Sequence, residues 1–337
     1  MSIHLGDTSE KKPIGIPVFH TGIFGQSGIG KTKLLHYMID QVVREDYRVI
    51  IIDSKSNNLG GPEFEGVGTD YPFYIEQSTD PDIFRSLIEG MRPKGKGNME
   101  RYRGGFIEIC DNTKNFVDIG RNLKAKLQDP KIKGNTKAMY KEIEYDYKRL
   151  ITLIENENFT TMPPKLEDQI IRIPSYRLGN LGLQGLVVKS YVELIMRSES
   201  KLIFILDEAP DFVNQKRFNP AKDVIAQPDA KGTSSKIFGW YSGQTLTQFD
   251  KANMKNLWYW AIGREMERNE KKDAFETQTF KKYKPDDFAK LKQREFIVIT
   301  PDFTEQITVP KIEDNVPVVK EYVEPKPLLK EESWDDV

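Results

Sequence analysis

Residues 25–32 of the chain read GQSGIGKT: Gly25, Gln26, Ser27, Gly28, Ile29, Gly30, Lys31 and Thr32. Residues 16–24, just before this octapeptide, are mostly apolar, which predicts a buried strand. Within residues 31–45 the apolar side chains recur at helical spacing, and residues 48–53 form an apolar run that ends in an aspartate. Strand, helix and strand within about 40 residues make a βαβ unit, which predicts a parallel sheet.

The octapeptide fits the phosphate-loop pattern in full: a glycine, four residues, then glycine, lysine and threonine. Glycines let successive backbone N–H groups point into one concavity, which can hold the β- and γ-phosphates of a nucleotide. Lys31 would add a cation to those oxygens, and the Thr32 hydroxyl would ligate Mg²⁺. Because the pattern lies between an apolar strand and an amphipathic helix, it predicts nucleotide binding and not a chance glycine-rich turn.

Two carboxylates, Asp207 and Glu208, directly follow a second strongly apolar run, residues 202–206. In a parallel sheet the carboxyl ends of the strands lie at one edge, so we expect this pair to face the phosphate loop. Asp207 is then placed to hold Mg²⁺ through water, and Glu208 to polarise an attacking water. The adjacent glutamate favours hydrolysis over transfer to a small acceptor. An ordinary surface acidic pair is the alternative.

Two further apolar runs, residues 236–241 and 257–262, are followed by the polar residues Gln244 and Arg264. Gln244 would sense the γ-phosphate or orient water, unless it is only a polar loop residue. Arg264 would reach phosphate in its own or a neighbouring subunit, where a guanidinium stabilises transition-state charge. A plain surface arginine is an equal alternative, and Arg172 and Arg197 are other candidates for that role.

The composition excludes several classes of protein. With 38% hydrophobic and 30% charged residues, the chain of 337 residues is typical of a soluble globular protein. Its one cysteine, Cys110, cannot form an internal disulfide, and its three histidines form no Cys/His cluster, so a structural zinc site is excluded. No apolar run reaches the roughly 18 residues that span a membrane. We therefore expect a cytoplasmic protein, in the host cytoplasm if it is viral.

The order of the motifs resembles the HerA–FtsK superfamily of P-loop ATPases, which are hexameric DNA pumps. The similarity covers residues 16–310 without the middle, and it rests on the phosphate loop, the acidic pair, Gln244 and a late strand within residues 291–298. It implies an α/β fold: a RecA-like P-loop NTPase core with a parallel central sheet, helices on both faces and an inserted irregular or helical segment.

The resemblance also implies ligands, partners and roles. ATP and Mg²⁺ are the expected ligands, with Lys31 and Thr32 on nucleotide and metal, and with Asp207 and Glu208 on metal and water. Gln244 would couple the state of the γ-phosphate to movement. The expected partners are sequence-independent, double-stranded DNA and further copies of the chain in a hexameric ring. Because the sequence starts almost at the first predicted core strand, we expect no amino-terminal barrel of the HerA-helicase type, and on this expectation it resembles the compact packaging ATPases of viruses and mobile elements.

The resemblance divides the chain into an ATPase domain, residues 1–310, and a tail rich in proline and acid, residues 311–337. An insertion is expected at approximately 56–164, and within it the apolar run 106–110 predicts a strand. Residues 92–103 are basic and glycine-rich; they suit the phosphates of DNA in the pore of a ring, or they form a solvated surface loop. The tail is expected to stay flexible or to dock on a protein partner.

These features support three functional hypotheses. The first is an ATP-hydrolysing motor that translocates double-stranded DNA, to package or mobilise a viral or plasmid genome. The second keeps the ATPase but powers secretion, conjugation or virion assembly through a protein partner. The third is a nucleotide-dependent switch that hydrolyses little, and the glutamate at position 208 argues against it.

Overall fold

The computed structural model describes residues 2–54, 64, 66–76, 80–91, 99–156, 159–160, 162–179, 181–198, 200–214, 219–222, 224–225 and 236–311. The predicted tail, except residue 311, and residues 92–98 of the basic cluster lie outside the described residues.

The described chain contains both strands and helices, and only parts of it alternate between them. The strands are β1 (Ser2–Asp7), β2 (Pro13–Pro17), β3 (Thr21–Phe24), β4 (Arg48–Ile52), β5 (Thr69–Asp70), β6 (Phe73–Tyr74), β7 (Phe159–Thr160), β8 (Ile170–Ile173), β9 (Leu202–Leu206), β10 (Ile237–Gly243), β11 (Tyr259–Ile262), β12 (Glu295–Ile299) and β13 (Thr304–Thr308). The helices are α1 (Lys31–Val43), α2 (Pro81–Met91), α3 (Arg103–Cys110), α4 (Phe116–Gln128), α5 (Gly134–Asn156), α6 (Leu181–Ile195), α7 (Ala209–Phe212), α8 (Lys251–Met254), α9 (Arg268–Thr277) and α10 (Pro285–Ala289).

An 11-stranded sheet forms the centre of the molecule, in the order β2-β1-β13-β12-β11-β3-β10-β9-β4-β8-β5. From β11 to β5 all neighbours are parallel, whereas β12, β13, β1 and β2 continue the sheet as an antiparallel edge. Every residue of β9 and β10 is buried, as expected of parallel strands that are covered on both faces. The predicted parallel sheet is confirmed, and the antiparallel edge is an addition to it.

One predicted strand, residues 16–24, is two strands in the structure. β2 ends at Pro17 and pairs with β1 at the antiparallel edge, while β3 starts at Thr21 in the parallel part of the sheet. A proline has no N–H for a sheet ladder, so a single central strand through Pro17 is unfavourable.

Helices cover both faces of the sheet, as predicted. Alternate residues of β4 enter two different hydrophobic cores, because successive side chains of a strand point to opposite faces. Val49 and Ile51 lie in the core that contains the apolar face of α1, and Ile50 and Ile52 lie in the core that contains α6.

The prediction of a strand at residues 106–110 is wrong, since these residues lie in α3. Phe106, Ile109 and Cys110 are buried, whereas Ile107 is 52% exposed, so the burial follows a helical period. A short apolar run does not distinguish a strand from a helix segment by pattern alone. In the structure α2 packs with α3, α5 and α6, and α4 packs with α3 and α5.

Within the described ranges, the helices are all too short or too polar to cross a bilayer.

Candidate functional site

The phosphate loop connects β3 to α1 and is held by chain segments on two sides. Gly25 has φ +145°, and a Cβ there would stand 3.1 Å from the Cα atom of Gly263, just after β11. Gly30 has φ +107°, and a Cβ there would stand 3.3 Å from Cγ of Arg294, just before β12. A side chain at either glycine would be strained in its backbone conformation and would press on these neighbours.

Lys31, the first residue of α1, directs its ammonium group back into this loop. Its Nζ atom donates hydrogen bonds to the carbonyl oxygens of Gly25 at 2.8 Å and Gln26 at 3.3 Å, and the residue is 6% exposed. The first turn of α1 contains no acidic residue, so no side-chain anion there opposes the positive end of the helix dipole. The loop thus combines a buried cation with a helix amino terminus, the arrangement that binds phosphate groups.

Asp207 lies at the end of β9, on the far side of β10 from the loop. Its carboxylate accepts a hydrogen bond from Oγ of Ser242 at 2.5 Å, and its backbone carbonyl accepts one from Oγ of Ser54 at 2.6 Å. The residue is 2% exposed. A buried carboxylate on β9 and the hydroxyl of Thr32 on α1 are hard oxygen donors, which suits Mg²⁺.

Glu208 and Gln244 are in direct contact at the same edge of the sheet. Nε2 of Gln244 donates a hydrogen bond to Oε1 of Glu208 at 2.8 Å, although 36 positions separate the two residues in the chain. Glu208 has left-handed dihedral angles, φ 50° and ψ 44°, which is unfavourable for a residue other than glycine. This turn leads from β9 into α7, and the strain is of the kind that accumulates at functional sites.

Arg264 lies beside the phosphate loop of its own chain. Its carbonyl oxygen accepts a hydrogen bond from the N–H group of Gln26 at 3.0 Å, and the Nε atom of its half-buried side chain has no hydrogen-bond partner among the described residues. The two alternative arginines are engaged elsewhere. Arg172 is 4% exposed and makes paired hydrogen bonds to Asp70 at 2.5 and 2.9 Å, and Arg197 binds Glu76 at 2.8 Å.

Comparison with known proteins agrees with this architecture. The family described as "Helicase HerA, central domain" matches residues 6–57, which include the phosphate loop. The structure of VirB4 from Thermoanaerobacter pseudethanolicus is similar, with a TM-score of 0.70 and 13% identity over 93% of this chain and 97% of VirB4. The plasmid coupling protein TrwB, in complex with the GTP analogue GDPNP, gives a TM-score of 0.60 and 12% identity over 90% of this chain and 88% of TrwB. The chain has the fold of the HerA–FtsK superfamily of P-loop ATPases.

The resemblance of the motifs to the HerA–FtsK superfamily is thus confirmed at the level of the fold. The genome packaging NTPase B204 from Sulfolobus turreted icosahedral virus 2 is less similar, with a TM-score of 0.42 and 14% identity over 87% of this chain and 98% of B204. Among curated proteins, none matches the sequence.

Two buried acids of this HerA–FtsK fold were not among the sequence candidates. Glu265 is 1% exposed; burial and the charge of Glu270 raise its pKa to about 8, although the charge of Lys31 acts in the opposite direction. Glu270 is 4% exposed and binds the segment that follows Gln244. Residues 264–272 read REMERNEKK, a pattern that predicts a solvated helix face, so no sequence signal marked these two acids.

Proposed function

We propose that the protein is an ATP-hydrolysing motor that translocates double-stranded DNA without reading its sequence, in the packaging or mobilisation of a viral or plasmid genome. The observation that carries the hydrolytic part is the contact between Glu208 and Gln244 at 2.8 Å, at the sheet edge where the phosphate loop also lies. A pure nucleotide switch does not need a polarising carboxylate in contact with a polar amide at this edge.

In the binding step, the phosphate loop receives the β- and γ-phosphates of ATP through its backbone N–H groups. Lys31 exchanges its hydrogen bonds to the carbonyls of Gly25 and Gln26 for bonds to phosphate oxygens. Thr32 and Asp207 would hold Mg²⁺, which neutralises charge that develops on the phosphates. Ser242 keeps the carboxylate of Asp207 in place.

In the hydrolytic step, Glu208 polarises a water molecule for in-line attack on the γ-phosphate. Gln244 holds the carboxylate of Glu208 and senses whether the γ-phosphate is present, so it can relay the product state to segments that contact DNA. Arg264, beside the loop, would stabilise charge on the phosphates of its own nucleotide or of a neighbour's in a hexameric ring.

A second function, an ATPase that powers conjugation or secretion through a protein partner, is favoured by one observation. TrwB, which has the same fold over 90% of this chain, is a plasmid coupling protein. The two functions differ in what accelerates ATP turnover, because a DNA motor responds to duplex DNA alone and a protein-coupled ATPase responds to its partner.

The test is the steady-state rate of ATP hydrolysis with and without linear duplex DNA, over a series of salt concentrations. For a motor, DNA raises the rate, and this stimulation weakens steeply with salt because Lys and Arg contacts to phosphate release counterions. Lys31→Ala abolishes turnover, whereas Lys33→Ala, an exposed neighbour, retains it. Turnover that DNA does not change supports the protein-coupled ATPase. Binding of ATP without turnover supports the switch.

A further inference from the structure

The buried side chain of Glu270 holds the loop that carries Gln244 through hydrogen bonds. Both side-chain oxygens of Glu270 accept hydrogen bonds from this loop. Oε2 binds the N–H groups of Leu246 at 2.7 Å and Thr247 at 3.1 Å, and Oε1 accepts a short bond from the Thr247 hydroxyl. Glu270 is 4% exposed, so these three donors replace the water that its carboxyl group loses on burial.

The two residues that Glu270 binds follow Gln244, whose amide contacts Glu208, after one intervening residue. Gln244 precedes Leu246 by two residues, and Leu246 is fully buried, which leaves this short connection little freedom. The Gln244 amide, bonded to Oε1 of Glu208, thus lies two residues from a segment that is held by a carboxyl group in α9, outside every motif of the sequence.

The chain segment that carries Glu270 also contacts the phosphate loop. Arg264, six positions earlier, accepts a hydrogen bond from the N–H group of Gln26, and Gly263 packs against Gly25. The buried Glu265 follows Arg264 in the chain, and the charges of both Lys31 and Glu270 act on its carboxyl group. One short segment thus contacts the phosphate loop at its start and the Gln244 loop at its end.

We propose that Glu270 is a positioning residue for hydrolysis, which clamps residues 246–247 so that Gln244 stays on Glu208 while the phosphate loop is occupied. The proposal rests on the proposed ATPase function. It assigns to Glu270 no contact with ATP: its effect reaches the reaction through Gln244 and Glu208.

The test separates binding from turnover in the full-length protein. In Glu270→Gln and Glu270→Ala we expect the Kd for a fluorescent ATP analogue to stay within about twofold of wild type, and kcat to fall at least about tenfold. If the alanine variant does not fold, Thr247→Val serves in its place. It removes one of the three donors, and we expect a smaller loss of kcat. Glu276→Ala, an exposed position on the same helix, leaves both quantities unchanged.

A double-mutant cycle distinguishes a positioning role of Glu270 from a general loss of protein stability. Once the amide is absent, its support is irrelevant, so Gln244→Ala combined with Glu270→Ala should turn over within about twofold of Gln244→Ala alone. Multiplied losses, or a Kd that rises in step with the fall in kcat, overturn the proposal. The two failures can be told apart. If wild type shows no turnover that depends on Lys31, the proposed function is wrong, whereas an unaltered kcat in the Glu270 variants contradicts only the positioning role of Glu270.

Discussion

The side chain of Glu265 is a buried acid beside the phosphate loop, and burial governs its charge. It is 1% exposed, and burial together with Glu270 raises its pKa to about 8. Below that pH the group is mostly protonated in the folded protein, so it adds little negative charge to the surroundings of Lys31. The phosphate loop therefore keeps its positive charge for an anion near neutral pH.

This raised pKa predicts a pH-dependent loss of stability. In the unfolded chain the Glu265 carboxyl group titrates near its ordinary pKa of about 4.3. The stabilisation that the folded state gains from binding this proton more tightly is therefore fully present below that pH. It is lost as pH rises towards the folded pKa of about 8. Glu265→Gln does not titrate, and its stability relative to wild type should rise by on the order of 3 kcal/mol between pH 5 and pH 7.5.

The measurement is urea unfolding of wild type and Glu265→Gln at both pH values. Glu276→Gln, at an exposed position of α9 that does not act on Glu265, is the control and should show no such pH-dependent difference. Parallel stability curves for wild type and Glu265→Gln would contradict a raised pKa at this position.

At the scale of elements, the hairpin of β1 and β2 is tied to α1, which carries the phosphate loop at its start. The side chain of Gln41 in α1 exchanges two hydrogen bonds with the backbone of His4 in β1, each of 2.8 Å. The turn of this hairpin contains Lys11 with φ 59°, in the left-handed region. A residue with a side chain is strained there.

Lys11→Gly should therefore stabilise the protein by about 0.5–1 kcal/mol, because relief of the left-handed strain exceeds the added entropy of the unfolded chain. Lys11 is exposed and its N–H group binds the carbonyl of Thr8 at 2.9 Å, a bond that glycine retains. Lys11→Ala keeps the strain and is the matched control. The midpoint of urea unfolding checks the prediction, which fails if the glycine variant is no more stable than the alanine variant.

At the scale of the whole molecule, the proposed catalytic residues lie at one edge of the sheet. Glu208, Gln244 and Arg264 are each only half-buried, which leaves room for the proposed contact between a neighbouring subunit and the nucleotide. If ATP lies between subunits of a ring, nucleotide should drive assembly.

Under the proposed mechanism Glu208→Gln should bind Mg·ATP without hydrolysing it, and we expect this variant to form a larger particle with Mg·ATP than without it. Lys31→Ala should keep the same mass in both conditions, since it lacks the cation that holds phosphate. Sedimentation velocity measures the masses directly. Equal masses for Glu208→Gln with and without Mg·ATP would argue against an interfacial nucleotide.

The sequence by itself determined the parts of the site that are local in the chain. The phosphate loop lies within eight consecutive residues, and its backbone conformation follows from its own glycines. The parallel core could be predicted too, because buried parallel strands appear as uninterrupted apolar runs and their carboxyl ends share one edge. Asp207 and Glu208 could therefore be assigned to the edge that carries the loop.

Only the tertiary structure decided which polar groups share a buried space. Glu265 and Glu270 stand in a stretch of charged residues that is indistinguishable from a solvated helix face until α9 packs against the Gln244 loop. Arg172 was a candidate for phosphate until the fold placed Asp70, 102 positions away, against its guanidinium group. Residues 106–110 are helical in the structure, where their buried apolar side chains follow a helical period. In each case the deciding energy comes from contacts between distant segments, and the pattern of a single sequence records only neighbours along the chain.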